Sequence, residues 1–356
     1  YEIPLRLVGS EMCIRDRMLG SLAEDAGIRR EDVFQVCVVG NTCMHHLFLG
    51  ISPASLVHAP YTPAVSERLV LNAGNYGLAV QERAELIMLS DIAGYVGADT
   101  CGCLLAIRQD QQEEISLMID IGTNGEMVLG NRERMVTCST AAGPAFEGAK
   151  IECGMRGAAG AVDHVKYEDG KWNYTTVGNK PAVGLCGSGL IDLVAGLLDA
   201  GMLDENGVLR SGQEKQGVFI LVPPERGGNE RGVYLTQKDL GEVQLAKAAI
   251  AAGIQMLMER LGITEDDICS VYIAGAFGNY MDPVSAGKIG LLPATLVKKV
   301  KPVGNAAGEG AKIALVNEKE MLEMDELVRK IEFVELAASA DFQDHFIDEL
   351  GFETGE

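Results

Sequence analysis

Basic residues are scarce in this chain: 30 lysines and arginines stand against 51 aspartates and glutamates, a formal net charge of −21 over 356 residues. Nucleic acids and anionic membrane surfaces bind clustered Lys and Arg, so this balance argues against both as partners. It leaves room for a local, amide-lined pocket for a nucleotide. Long apolar runs are missing too. None is long enough to span a bilayer, and no secretory leader is visible, so the expected location is cytoplasmic. Paired cysteine spacing is the third absence. The nine cysteines are scattered, Cys101-Gly-Cys103 being the only close pair. No C-x-x-C pair offers zinc or iron–sulfur ligands, and the pattern suits reduced thiols rather than a disulfide framework. His45-His46 invites a metal reading, but neighbouring helical residues do not face one another, and the pair is not read as a site.

What is present is a long-range echo. Leu22-Ala-Glu-Asp-Ala-Gly-Ile-Arg-Arg-Glu-Asp-Val-Phe-Gln-Val-Cys-Val-Val-Gly40 returns as Leu257-Met-Glu-Arg-Leu-Gly-Ile-Thr-Glu-Asp-Asp-Ile-Cys-Ser-Val-Tyr-Ile-Ala-Gly275. The matches share one offset of 235 residues (257 − 22, 262 − 27, 275 − 40). Each copy reads as helix end, Gly stop, acidic turn, buried strand and Gly. A single repeat of so long a period marks a duplicated domain, hence two similar lobes and a cleft. The first seventeen residues, Tyr1 to Arg17, resemble a translated sequencing-adaptor remnant more than a protein element, the alternative being an authentic irregular N-terminus; they are set aside as a non-native leader, with the chain proper expected from Met18.

Residues 18–114 form the first lobe on this reading and 115–356 the second. The charged Arg108-Gln-Asp-Gln-Gln-Glu-Glu114 run between them is expected to be a solvated turn with nothing to bury. Past it, Ile115 to Ile119 and Glu126 to Gly130 predict two strands. Asn124-Gly125 is read as their hairpin signal, because both residue types tolerate positive φ. A third strand over Arg134 to Cys138 completes a meander, and the lobe as a whole reads β-β-β-α-β-α-β. Ser188 is the expected N-cap of a helix over 189–200. Thr236-Gln-Lys-Asp239 resembles a capping box ahead of a long helix whose Val243, Ala246, Ile250, Ile254, Leu257 and Leu261 share one stripe.

Three glycine-bearing loops follow strand ends or open helices. In Asp120-Ile-Gly-Thr-Asn-Gly-Glu126 the glycines admit a phosphate close to backbone, Thr123 offers a hydroxyl, and Asp120 can hold Mg²⁺ through water or orient an attacking water. The plain reading is an ordinary hairpin whose Asp caps its own turn. Ala274-Gly275-Ala276-Phe277-Gly278-Asn279 ends a buried strand and leaves room for a flat ligand such as adenine. Gly184-Leu-Cys-Gly-Ser-Gly189 opens a helix, where free amides attract ribose or phosphate oxygens. Either of the last two loops is, alone, as well explained as a packing turn.

Together these features resemble the α/β fold of the actin, sugar-kinase and Hsp70 ATPase superfamily (ASKHA), with duplicated RNase H-like lobes of mixed sheets flanked by helices. The resemblance is closer to one branch, the reductive activators of corrinoid proteins, over most of Met18 to Phe352. It rests on Val39-Gly-Asn-Thr42, Pro60-Tyr-Thr-Pro63, Gly94-Tyr-Val-Gly-Ala-Asp99, Asp120 to Glu126, Cys138-Ser-Thr-Ala-Ala-Gly-Pro-Ala-Phe-Glu-Gly148, Gly184 to Gly189, Leu235-Thr-Gln-Lys-Asp239 and Gly275 to Tyr280.

The resemblance implies ATP-driven electron transfer: an N-terminal [2Fe–2S] ferredoxin domain supplies electrons, and ATP with Mg²⁺ drives reduction of a Co(II) corrinoid protein to Co(I). Asp120 and Thr123 would act catalytically, with Asp120 reaching Mg²⁺ through water. Gly122, Asn124, Gly125 and Glu126 would complete the phosphate loop. Gly275, Phe277, Gly278 and Asn279 would line the adenosine pocket, with Gly187 and Ser188 nearby. The implied partner is a corrinoid protein and the expected assembly a homodimer. Ser139 to Gly148 carries no chemical signature: contact with nucleotide, contact with the corrinoid partner and a helix-packing turn are its three readings. Two departures stand out. Cys43 sits where the family more often has Thr. The Asp120 hairpin precedes Gly275 by 155 residues (275 − 120), and a counterpart for Gly40 would fall before Tyr1. The first lobe is therefore expected to be truncated, in a C-terminal portion of a longer protein without the iron–sulfur domain. The alternatives are a kinase for a small acid or sugar with Asp120 as base, and a nucleotide-dependent scaffold without redox work.

Overall fold

The computed structural model describes residues 5–210, 217–337 and 339–352. Two compact units emerge: the chain up to Arg108 together with Ala306–Ile331, and Gln109–Asn305 together with the chain from Glu332 onward.

The first unit begins with α1 (Leu5–Ala26), which runs unbroken through Met18. Gly27 ends it at φ 66°, its N–H and that of Ile28 closing on the carbonyls of Glu24 and Ala23. That is the left-handed helix stop for which glycine is suited. A single 3-10 turn at Arg30–Asp32 leads into β1 (Gln35–Val38). Arg30 reaches back along α1 to the Asp16 carboxylate at 2.5 Å. Asn41 then caps α2 (Thr42–Leu49), accepting the Met44 N–H at 2.8 Å. β2 (Leu69–Asn72) and β3 (Glu85–Met88) complete a sheet in the order β1-β3-β2, with β1 and β3 parallel and Val38 opposite Met88. Ala73, Leu86 and Met88 are the centre of its core, against Leu19, Val36 and Phe48. After β3 comes α3 (Ala98–Ile107), whose first half is made of small residues.

The second unit is larger. β4 (Ile115–Ile121), β5 (Gly125–Gly130) and β6 (Met135–Thr140) form the expected antiparallel meander. A second sheet was not anticipated: β7 (Ala161–Glu168), β8 (Lys171–Thr176) and β9 (Gly184–Leu185), in the order β8-β7-β9. Next come α4 (Gly187–Asp199), the hairpin β10 (Val218–Val222) and β11 (Val233–Thr236), and the 25-residue α5 (Gln237–Leu261). The capping box at Thr236 and Asp239 is present, and Gly262 ends α5 at φ 69°. The helical stripe from Val243 to Leu257 is buried against the main sheet, with Leu261 partly so. β12 (Ile268–Ala274) follows a 3-10 turn at Glu265–Asp267 and pairs in parallel with β4. The short α6 (Gly275–Gly278) and α7 (Pro283–Lys288) precede β13 (Val300–Gly304). The helices α8 (Ala306–Val316) and α9 (Glu318–Val328) pack with the first unit. β14 (Glu332–Phe333) and α10 (Ala340–Asp348) return to the second, giving a six-stranded sheet β13-β12-β4-β5-β6-β14.

Close approach explains several glycines. A Cβ on Gly125 would lie 2.9 Å from Thr140 Oγ1 and 3.2 Å from Ile250, and one on Gly253 would run into Met127, so these two positions let α5 settle onto β5 and β6. In the first unit, a Cβ on Gly102 of α3 would fall 2.6 Å from the Ala307 carbonyl, and one on Gly310 of α8 would meet Gly102 itself. That intimate helix crossing is why the Ala306–Ile331 segment belongs with the first unit although the sequence division at 114/115 assigns it to the second.

Three local expectations need correction. Neither Asn124 nor Gly125 has positive φ: Ile121 pairs with Gly125, leaving the connection Gly122-Thr123-Asn124, closed by the Gly122 N–H on the Asn124 carbonyl at 2.9 Å. Ser188 is not an N-cap; α4 starts at Gly187 after Cys186. The Arg108–Glu114 run does bury something. Gln109 is fully enclosed, its amide donating to the carbonyls of Ser116 (2.7 Å) and Val128 (3.2 Å).

Candidate functional site

Parallel pairing of β4 and β12 sets Asp120 directly beside Ala274, so the loops leaving both strands emerge together at the carboxyl end of the sheet. The carboxyl ends of adjacent parallel strands are where α/β sheets offer ligand sites. Gly275 follows at φ 85°, and a Cβ there would lie 2.9 Å from Asp120 Oδ1. Backbone conformation and the neighbouring carboxylate therefore both require glycine. On the other side of β4, Asp120 pairs with Glu126, and Glu126 pairs with Ser139 of β6. Three adjacent strands thus carry a polar row on one face, with Ser139 Oγ donating to buried Glu126 at 3.1 Å.

The Ser139–Gly148 loop folds over this row. Its Gly143 N–H donates to the Thr123 carbonyl at 2.9 Å, and Thr123 Oγ1 donates to Glu147 Oε2 at 2.6 Å. Phe146 is buried and stacks on Phe277, with centroids 5.7 Å apart and planes 18° from parallel. Gly187, at the start of α4, lies against both: a Cβ there would be 2.7 Å from Phe277 Cε2 and would strike the Phe146 carbonyl. The hairpin, the loop after β12, the helix start and the unassigned loop accordingly converge in one place.

The individual residues differ in what they present. Thr123 is exposed at the hairpin tip, and a Cβ on Gly122 would have nothing closer than Asn124 O at 3.8 Å, so a ligand can approach that backbone. The Gly122 N–H is itself spent on the Asn124 carbonyl. Gly125 faces α5 rather than the opening. Ser188 is buried, and its hydroxyl donates to the Asp163 carbonyl at 2.8 Å, fastening α4 to β7. Only its backbone belongs to the helix start. Gly278 permits a turn against Ile273, where a Cβ would come within 2.6 Å, and Asn279 is exposed with its amide beside Gly304. Burial, and then the Glu126 carboxylate, push the Cys138 thiol up, so it provides no thiolate here.

Among the described residues no three His, Cys, Asp or Glu side chains gather as a metal cage. His45 and His46 are both buried and held by other groups: His45 Nδ1 lies 3.1 Å from Asp91 Oδ1, its Nε2 bonding to nothing, while His46 Nδ1 donates to the Thr42 carbonyl and Nε2 accepts from the Ala64 N–H. A cation at the Asp120 edge would therefore be held by few protein groups plus water and ligand oxygens, the way Mg²⁺ usually travels with a nucleotide. The exposed Thr123 hydroxyl, the open space over Gly122 and the Cβ-free cradle at Gly275 fit such a ligand. Two recesses of the second unit, about 410 Å³ beside Met256 and Phe333 and about 1040 Å³ beside Leu198 and Phe352, include none of these loop residues. Volume alone does not mark the site.

Residues 114–356 match the family model described as the C-terminal domain of RACo, the ASKHA domain, and residues 12–112 match the RACo middle region. The chain belongs to this family. It is 34% identical over 345 residues to the corrinoid activation enzyme RamQ of Eubacterium limosum, covering 93% of this chain and 58% of that protein. It is 29% identical over 303 residues to the [Co(II) methylated amine-specific corrinoid protein] reductase of Methanosarcina barkeri, covering 78% and 54%. A solved reductive activator for corrinoid, iron–sulfur protein superposes with a TM-score of 0.89 at 36% identity, covering 98% of this chain and 57% of that one. The chain thus spans little more than half the length of the proteins it resembles. Its α/β architecture is that of the ASKHA domain, and no helix of the described residues is long and apolar enough to cross a membrane.

Glu147 and Phe146 are the residues that sequence reasoning missed. The Phe-Glu pair lay in a stretch recognised only by resemblance, and nothing in its spacing revealed that it returns to Thr123 and Phe277.

Proposed function

We propose that this chain is the ATP-binding and hydrolysing part of a reductive activator that returns a Co(II) corrinoid protein to Co(I). The observation that carries the reading is the junction of Asp120 with Gly275, a carboxylate and a side-chain-free backbone on neighbouring parallel strands. The relatives named for corrinoid activation and reduction support the substrate class.

In this reading Asp120 orients water, either on Mg²⁺ or for attack on the terminal phosphate, and Thr123 donates to phosphate oxygen from the exposed turn. Gly122 and Asn124 form the backbone over which the phosphates lie. Glu126 stiffens the edge through Ser139, and Gly125 contributes by seating α5. Gly275, Phe277, Gly278 and Asn279 shape the adenosine end beside Gly187, and Ser188 contributes its amide at the α4 start, where the helix dipole favours anionic oxygen. Mg²⁺, when bound with the nucleotide, neutralises phosphate charge. A reduced [2Fe–2S] domain outside this chain would supply the single electron that takes cobalt from Co(II) to Co(I), and ATP binding and hydrolysis would drive that uphill step. A corrinoid protein is the partner, a homodimer the assembly and the cytosol the location.

The test is the visible spectrum of a Co(II) corrinoid protein mixed with reduced full-length activator and ATP. Appearance of Co(I) only with ATP is expected. Phosphorylation of a small acceptor without any cobalt change would replace this reading with the kinase.

A further inference from the structure

Glu147 is an exposed carboxylate at the mouth of a site read as receiving a polyphosphate, and it lies nearer the hairpin tip than charge considerations favour. Its Oε2 takes the Thr123 hydroxyl at 2.6 Å, the same hydroxyl that the hairpin has to offer a phosphate. It cannot drift away, because its loop is pinned on both sides. Gly143 is tied to the Thr123 carbonyl, Phe146 is stacked on Phe277, and Gly148 sits at φ 80° with no room for a side chain against the Met155 backbone. Asp120 and Glu126 are cross-strand partners at the base of the same hairpin, so an unaccompanied polyphosphate there meets carboxylates from three residues. Like charges repel, and a divalent cation reverses the sign.

We infer that Glu147 is a positioning residue that makes nucleotide entry depend on the divalent cation. Without nucleotide it holds the Thr123 hydroxyl. When nucleotide arrives with its cation, Glu147 releases that hydroxyl to the phosphate and accepts hydrogen bonds from the cation's hydration shell instead. Metal-free nucleotide meets the carboxylate unshielded and is rejected. This rests on the nucleotide reading above.

The experiment is calorimetric titration of ATP into the purified chain, once with excess MgCl₂ and once with EDTA, for wild type, Glu147→Gln and Thr123→Val. Wild type should prefer the magnesium complex by at least about tenfold. Glu147→Gln keeps an acceptor for Thr123 but loses the charge, so metal-free binding should strengthen, magnesium–ATP binding should weaken, and the preference should fall several-fold. Thr123→Val keeps the charge and should weaken both forms while leaving the preference intact. A wild-type preference in Glu147→Gln, or a collapsed one in Thr123→Val, overturns the role of Glu147 alone. No ATP binding by wild type in either buffer overturns the nucleotide reading beneath it.

Discussion

The two copies of the internal repeat keep the same order of elements but not the same burial: no residue of β1 is buried, against most of β12, and the copies part company again where their strands end. In both, a helix stops at a left-handed glycine (Gly27 at 66°, Gly262 at 69°), a 3-10 turn follows 235 residues apart (Arg30–Asp32, Glu265–Asp267), and a strand enters a sheet with a parallel neighbour. Beyond the strand, the first copy is sealed. Gly40 has ordinary backbone, Asn41 caps an eight-residue helix, and His45 is buried against Asp91, which also accepts the Ala98 N–H. The second copy stays open: Gly275 is left-handed, its helix lasts four residues, and its neighbour is Asp120 at a polar edge. The order of elements is kept in both copies, while the two strand exits differ in backbone conformation and in the groups beside them.

The comparison can be broken most sharply at its carboxylates. Asp120→Ala should lower ATP turnover by roughly a hundredfold, the scale of a lost transition-state contact, while melting close to wild type. Asp91→Ala should do the reverse, costing about 2–4 kcal/mol in denaturant unfolding because it orphans His45 and the Ala98 N–H, with ATP affinity unchanged. If Asp120→Ala instead collapses the fold, the hairpin Asp was only a structural cap.

The glycines give the next contrast. Gly275→Val should weaken ATP binding at least about tenfold, since Cβ meets Asp120 and φ is wrong for a branched residue. Gly40→Ala places its Cβ at an ordinary 3.5 Å from Met44 and should change neither binding nor stability by more than about 0.5 kcal/mol. Equal loss in both variants would erase the distinction between sealed and open exits.

The smallest effect is one of pH. Burial raises the Asp91 pKa above its ordinary 3.8, opposed less strongly by His45. A carboxyl that holds its proton more tightly when folded adds stability that is full below 3.8 and disappears as pH climbs through the raised value. Unfolding midpoints taken from pH 3.5 upward should therefore lose a component that Asp91→Asn flattens. An unchanged slope in that variant would place the titration elsewhere.

Much of the frame was legible because glycine stops, the Thr236–Asp239 box and continuous apolar strands are local signals. The hairpin after β4 was foreseen for the wrong reason: Asn124-Gly125 suggested a positive-φ turn, whereas Gly125 is there to admit Ile250 of α5. The turn that does use that chemistry, Asp169 at 51° and Gly170 at 74° between β7 and β8, went unread, and with it the second sheet. Ser188 had the right residue type for a cap, but the Asp163 carbonyl of β7 claims its hydroxyl. Gln109 looked solvated because charged neighbours hid one amide that bonds two strands. Glu147 and Phe146 lie 24 and 131 residues from the partners that define them (147 − 123, 277 − 146), a range no local pattern spans.

The most direct test of the strand-exit account is a crystal structure of the chain with Mg²⁺ and a non-hydrolysable ATP analogue. Terminal phosphates within hydrogen-bond reach of Thr123 Oγ1, with adenosine at the Gly275–Asn279 turn, are expected. An analogue seated away from Asp120, for instance in the recess beside Met256 and Phe333, would contradict it.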